Sequence, residues 1–547
     1  MNVTPPSWRL SCWHPADAFS ERRGQDALET AAGMAAILLE FRVKKLFLSS
    51  LLTAVIFTNL NFAQTAGSKQ ALPNKTAAAS VQPRQDFAVP FVSKTLPNGL
   101  EVIVLRDNSV PLVTVEMAVR NGSFTEPPEL NGLSHLYEHM FFKSNKAIGI
   151  FRCETARKTS FSAFSSPYCS EQMRFKSQIG DVAYLADVDK FGWVRNGTTQ
   201  EEYVNYYFST TSPNLATTVR YIRDSMLYPS FDEEEFKQEI EVVLGELDRQ
   251  QAEPYYYLDR TLMDKLFYKY PSRKSPGGTR ATVAAATTEK MRLIQSRYYL
   301  PNNSALIVTG DVQTEQVFKL AAELFGSWEK GPDPFIKFPI VDHPPLAKSE
   351  GVIVEQDLEN VLIQVGWHGP SIGKDNTGTY AADVFSYIIQ QPNSRFQRAL
   401  VDSGLTAGVS VNYYTQRNVG PIRITLQTAP DKAKPAMDAL YAELAQFGNP
   451  NYYSDEELAN AKNLLEAEDL YRREKLSEYT HTLGFWWSST GMDYYRGYHK
   501  NLRAVSRDDI KKYVSDYILG KPHVGVALMS PAVQRSTKLT GQDLIGK

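Results

Sequence analysis

The sequence predicts an α+β protein whose chain repeats one structural plan twice. Three observations carry that expectation. With 547 residues the chain is too long for a single hydrophobic core. Its 43% hydrophobic and 22% charged residues are the balance of a globular protein rather than a disordered or fibrous one. The order of strand and helix patterns ahead of a Pro-rich stretch, Gly326 to Glu350, also recurs beyond it.

Residues 1–42 show scattered charges and no clear periodicity. Residues 43–63 differ. Val43-Lys44-Lys45 precede an apolar run from Leu46 to Phe62 that closes on Ala63, the layout of a secretory signal. The run is short for a membrane-spanning helix and Asn59 and Asn61 interrupt its end, so no stable membrane span is expected. Residues 1–42 do not belong before such a signal, and translation is expected to begin near Met34 or Val43. Residues 64–86, rich in Ala, Ser, Gln, Lys and Pro, read as a flexible exported linker. Export to a periplasm follows, with secreted and surface-associated forms as alternatives.

The first structural unit is expected over residues 87–325. Its most informative stretch is Asn131 to Lys143, NGLSHLYEHMFFK, which holds His135, Glu138 and His139. Residues three and four apart share a helix face, so two imidazoles one turn apart can grip one metal ion beside a carboxylate. Zinc accepts His nitrogen and leaves a position open for water. The flanking Leu133, Leu136, Met140, Phe141 and Phe142 are apolar, and charge buried among them needs a partner. A third ligand is expected from Asp232 to Gln250, DEEEFKQEIEVVLGELDRQ, a helical pattern in which Glu239 and Glu246 lie two turns apart on one face. Glu233, Glu234, Glu235 and Glu241 read as solvated surface. Gly245 costs about 1 kcal/mol relative to Ala inside a helix, and a close approach to the metal helix is the expected justification.

Residues 326–350 read as a linker in which His343 is a solvated loop residue. In the second unit, residues 351–547, strands are expected at Gly351 to Glu355, Val361 to Trp367, Ser410 to Tyr414, Ile422 to Thr428 and Val524 to Met529. Helices are expected at about Tyr380 to Leu400, Asp455 to Leu476 and Asp508 to Tyr517. His368, His481, His499 and His523 are dispersed and read as structural, and Phe485-Trp486-Trp487 as core or interface. A net charge of −2 suggests no nucleic-acid partner.

The H-x-x-E-H motif, called inverzincin, followed by Glu239 and Glu246, resembles the pitrilysin or insulinase family of zinc peptidases. The chain is similar to its bacterial half-size members and to the zinc-binding subunit of the mitochondrial processing peptidase. Leu96 to Lys143, Asn196-Gly197-Thr198-Thr199 before Tyr206-Tyr207-Phe208, and Arg297 to Asp311 carry the likeness further. The resemblance implies two homologous α/β-sandwich domains, each an antiparallel sheet flanked by helices, forming half of a clam-like chamber. It implies a metalloendopeptidase that hydrolyses peptides or unfolded proteins by Glu-assisted attack of a zinc-bound water. His135, His139 and Glu246 would bind one Zn2+ per chain, Glu138 would be the general base, and Glu239 would orient a ligand His. Asn196, Gly197 and Thr198 would line the substrate-binding edge strand. Against the family's spacing, about thirty extra residues fall between Ile148 and Asp189. Cys153 and Cys169 both lie there, to be paired as a disulfide in an oxidising compartment or left as free thiols. The family's Arg and Tyr, seven apart, fall on Leu400 or Val401 and on about Ala407, so neither is present. Either a zinc-less sister subunit or a homodimer partner supplies them, which is the expectation, or the chain works without them. The alternative from another class is a non-catalytic assembly or peptide-binding subunit.

Overall fold

The computed structural model describes residues 89–159 and 164–546. The expected extension, signal and linker within residues 1–88 lie outside them. No helix among the described residues is long and apolar enough to cross a membrane.

Two sheets form among the described residues. The first contains β1 (Val92–Thr95), β2 (Glu101–Arg106), β3 (Leu112–Val119), β4 (Val194–Thr199), β5 (Val204–Thr211) and β6 (Ser304–Gly310), in the order β1-β2-β6-β3-β5-β4. The second contains β7 (Glu350–Glu355), β8 (Val361–His368), β9 (Gly408–Tyr413), β10 (Pro421–Thr428) and β11 (Val524–Met529), in the order β7-β11-β8-β10-β9. Only β2 with β6 and β7 with β11 run parallel, and the remaining neighbours are antiparallel. Dropping β1 superimposes one order on the other, so the duplication read from the sequence is a duplication of topology.

The central strands are continuous apolar runs because both faces are covered. Every residue of β6 is buried. Val113, Val115, Met117 and Val119 of β3 turn toward one core, which includes Leu133, Leu136, Met140 and Val243. Ala118, with Ile103, Ala305 and Ile307, turns toward another core that belongs mostly to the second half.

That second face shows how the halves are joined. Six helices matter here: α1 (Leu133–Phe141), α2 (Glu233–Gln251), α3 (Pro254–Leu266), α4 (Asn376–Ile389), α5 (Asp455–Glu474) and α6 (Leu476–Ser489). Helix α6 belongs to the second half in sequence, yet packs across β3 and β6 of the first sheet. Helix α3 belongs to the first half, yet packs across β8 and β11 of the second. Leu258, Leu262 and Leu266 of α3 are fully buried against Leu362, Val526 and Leu528. The crossings are close. A Cβ on Gly366 would stand 3.0 Å from Leu262, and one on Gly484 would overlap the Tyr203 hydroxyl at 2.5 Å. Beneath α6 the buried carboxylate of Glu116 accepts from Tyr203 and contacts His481. Lys274 adds a third tie, donating to the Val419 carbonyl at 3.0 Å and to Asn418 and Gln416 of the second half.

Two sequence expectations are corrected. The helix expected from Tyr380 to Leu400 stops at Ile389, and short helical segments resume only at Arg395. Pro392 lies in the gap, where it has no N–H to donate and biases its predecessor toward extended backbone; Ser394 then caps the new turn. His343 is not solvated. It is 8% exposed and packs edge-on against Phe267, 4.8 Å between ring centroids. Burial lowers its pKa to about 3. Phe485, Trp486 and Trp487 are buried, and α5 begins with a capping box between Ser454 and Glu457.

Asp383 on α4 supplies a pH test of the second half. Burial raises its pKa to about 7, against a hydrogen bond from the Tyr498 hydroxyl, with Glu468 adding to the rise. The unfolded chain releases this proton near pH ~4, so the folded form binds more protons between those values and stability falls as pH rises through them. Asp383→Asn should flatten that fall, read as urea-unfolding free energies at about pH 5 and about pH 8.

Candidate metal centre

Helix α1 begins at a constrained point. Gly132 has φ +87°, and a Cβ there would stand 2.8 Å from Gly278. No acid occupies the helix's own first turn. Glu126 serves from outside, accepting from Gly132 N at 2.8 Å, Ser134 N at 2.6 Å and Asn131 Nδ2 at 3.3 Å. A carboxylate on these free N–H groups complements the helix dipole. Leu133, Leu136 and Met140 then turn into the core, which fixes the opposite stripe carrying the polar residues.

Helix α2 is started by Asp232, which accepts from Glu234 N and Glu235 N. Its buried residues Phe236, Val243, Leu244 and Leu247 hold it against the core, with Glu239 and Glu246 buried beside them. Gly245 is corrected: it is exposed, and a Cβ there would meet nothing within 4 Å. No close approach explains it.

The two helices bring His135, His139 and Glu246 together. One donor atom from each lies within 4.8 Å of the others, and among the described residues this is the one His/Cys/Asp/Glu group so placed. Glu246 Oε2 is 3.4 Å from His139 Nε2 and 3.7 Å from His135 Nε2. That oxygen is buried without a hydrogen bond, as is His135 Nδ1. A buried carboxylate oxygen left this way is costly, and a cation among the three groups would satisfy it. Two imidazoles and a carboxylate are donors zinc accepts, so the residues fit the ion.

Glu239 stands outside this group of three. Its Oε2 meets His139 Nδ1 at 3.0 Å and its Oε1 meets Lys143 Nζ at 2.5 Å. Burial lowers the His135 pKa to about 4, helped by the charge on His139. Burial works the same way on His139, but Glu239 and Glu246 outweigh it and raise that imidazole to about 10.

Glu138 is 4% exposed and points to the edge strand β4. Thr199 Oγ1 donates to its Oε2 at 2.9 Å. A Cβ on Gly197 would stand 2.6 Å from Glu138 Cγ, so only glycine leaves room for the carboxylate. Burial raises Glu138 to about 7, with His139 and Thr199 pulling the other way.

Of the residues expected on the edge strand, Gly197 therefore meets Glu138. Asn196 and Thr198 pair in register with Tyr207 and Asn205, on the other face. Cys153 and Cys169 are joined by a disulfide between the helices Lys146–Thr159 and Pro167–Met173. His368, His499 and His523 lie elsewhere, on the Leu266 carbonyl, on Asp469 and on Tyr441. Glu126, Lys143 and Thr199 belong to the site but were not singled out in the sequence. Thr199 stood within the quoted edge segment, whereas no local spacing points to Glu126.

Residues 101–279 match the family model described as Insulinase (Peptidase family M16), and residues 285–465 match the Peptidase M16 inactive domain. The chain is 24% identical to the zinc protease PqqE of Helicobacter pylori, over 61% of this chain and 68% of that protein. It is 24% identical to the uncharacterized zinc protease YmxG of Bacillus subtilis, over 67% and 81%. Among solved structures, a protease from Helicobacter pylori aligns with TM-score 0.67 and 20% identity over 81% of this chain and all of that one. The periplasmic protease PqqL from Escherichia coli aligns with TM-score 0.64 and 16% identity, over 85% of this chain and 50% of that one.

The open space at Gly245 makes its replacement simple to forecast. Gly245→Ala should raise unfolding stability by up to about 1 kcal/mol through helix propensity, with zinc content unchanged by elemental analysis.

Proposed function

The chain belongs to the insulinase family, peptidase family M16, and from that premise we propose that it is a zinc-dependent metalloendopeptidase acting on peptides and unfolded proteins. The observation that carries this reading is a buried Glu138 set beside a His135, His139 and Glu246 group whose carboxylate oxygen has no hydrogen bond.

His135, His139 and Glu246 would hold one zinc ion, which when bound supplies the Lewis acidity that polarises a peptide carbonyl and acidifies water. Glu239 fixes the His139 ring through Nδ1, so that Nε2 is the nitrogen offered toward Glu246. Lys143 balances the Glu239 charge. Thr199 engages one oxygen of Glu138 and leaves the other to accept a proton from the attacking water and return it to the leaving amine. The open edge of β4 would receive the peptide as an added strand, held by backbone hydrogen bonds.

Domains at residues 87–325 and 351–547, joined by 326–350, are the proposed division, and the presence of two sheets of matching order supports it. Leu400 and Val401, on one of which the family's Arg would fall, are apolar, and Leu400 is fully buried, so neither can supply a guanidinium to a substrate. A zinc-less sister subunit, or a second copy of the chain, would complete the chamber. The likeness to PqqL, half of whose length this chain covers, supports a two-part assembly. The signal-like residues 43–63 and the periplasmic description of PqqL support export.

The test is zinc content together with cleavage of a quenched peptide library, by the purified chain alone and with any co-purifying sister. Glu138→Gln should keep its zinc and lose cleavage by a factor of about 10²–10⁴, the usual range for general acid–base catalysis. His135→Ala and Glu246→Ala should lose the zinc. Cleavage untouched in Glu138→Gln would overturn the assignment. Stoichiometric zinc with no cleavage in any combination would favour the binding-subunit reading instead.

A further inference from the structure

We propose that Arg195 gives the β4 edge a preference for acidic peptides: an Asp or Glu side chain is favoured two residues along the substrate strand from the residue facing Gly197. This rests on the reading of β4 as the strand that receives the peptide.

Strand β4 is the last in its sheet, and its sequence VRNGTT contains one charged residue. Arg195, Gly197 and Thr199 pair with Phe208, Tyr206 and Val204 of β5. All three of those partners turn into the core beneath the metal helix. Arg195 therefore shares the face on which Gly197 and Thr199 meet Glu138, one strand period, about 7 Å, further along.

The guanidinium is placed but not neutralised. It lies 6.0 Å from the ring of Phe142, just past the end of α1, and reaches the Tyr221 hydroxyl. Arg195 is exposed, and no carboxylate forms an ion pair with it among the described residues. Glu235, near Tyr221, accepts from Ser144, and Glu138, on the same face of β4, accepts from Thr199.

Opposed side chains of paired strands project on the same face. A peptide laid along β4 thus presents one side chain to Arg195 on the metal side, close to the bond to be cut. The guanidinium fork suits a carboxylate and repels a cation. On the other face, Asn196 and Thr198 carry no charge, so β4 itself offers no second charged side chain. Charged residues on edges also discourage aggregation, and that alternative foretells no dependence on peptide sequence.

The experiment uses the full, zinc-loaded chain carrying Glu138→Gln, with and without Arg195→Glu. Its probes are fluorescent Thr-rich peptides along which a single Glu, Gln or Lys is walked, and binding is read by anisotropy. At one position Glu should bind about fivefold tighter than Gln, the yield of an exposed ion pair of about 1 kcal/mol, and Lys should bind weaker. Arg195→Glu should reverse that order, and Arg195→Gln should abolish it. Zinc content and the unfolding midpoint should be unchanged in both. Equal binding of all three side chains everywhere, a preference that survives Arg195→Glu, or no binding of any peptide overturns the proposal. Acid-selective binding by a chain whose parent cleaves nothing sinks the peptidase reading and leaves Arg195 standing. Cleavage without charge preference does the reverse.

Discussion

Everything in this molecule depends on a reciprocal loan of helices. Helix α3 leaves the first half to cover the second sheet, and α6 leaves the second half to cover the first. Each sheet has one face filled by its own helices and the other filled by its counterpart's. The apolar surface buried this way is the strongest available driving force for holding two folded units together. It also explains the nearly continuous apolar strands β3, β6, β8 and β11, which have no face left for water. Because α3 follows α2 after a two-residue break, the helix that brings Glu246 to the site is anchored at its far end by the second sheet.

The site is built against that rigidity at an electrostatic cost. Glu126, Glu138, Glu239 and Glu246 are all buried within a short span. Buried carboxylates persist only where each finds a compensating group. Glu126 finds the free N–H groups of α1, Glu239 finds Lys143 and His139, and Glu138 finds Thr199. Glu246 has Arg249 3.5 Å from its Oε1, but its Oε2 finds only the two imidazoles at ion-pair range. The hydrogen bond missing at that one oxygen is what marks this group as a place for a cation.

Much of this was legible in the sequence, and the rest failed for identifiable reasons. Helical periodicity around His135 and Glu246 was strong because both helices bury an apolar stripe beside their acids. The repeated strand order also showed, since alternation and turns are local signals. Gly245 misled because composition reveals that a glycine costs stability but not which way it faces. The break at Pro392 was available to local reasoning and was overridden by the apolar pattern around it. The burial of His343 depends on Phe267, far away in the chain, and the cap from Glu126 depends on the path of the loop to Gly132. The exchange of α3 and α6 leaves no local trace, since an amphipathic helix looks the same whichever sheet it covers.

Gly197 carries a consequence for descent. A glycine codon is one base change from alanine, and the added methyl group would fall on Glu138 and on the Asn205 carbonyl of β5, 2.9 Å away. A gene copy with that change would still encode His135, His139 and Glu246, but the Glu138 carboxylate and the edge strand would have to shift to make room. One nucleotide thus separates this placement of the carboxylate from a different one, with every side chain of the cation-facing group still encoded.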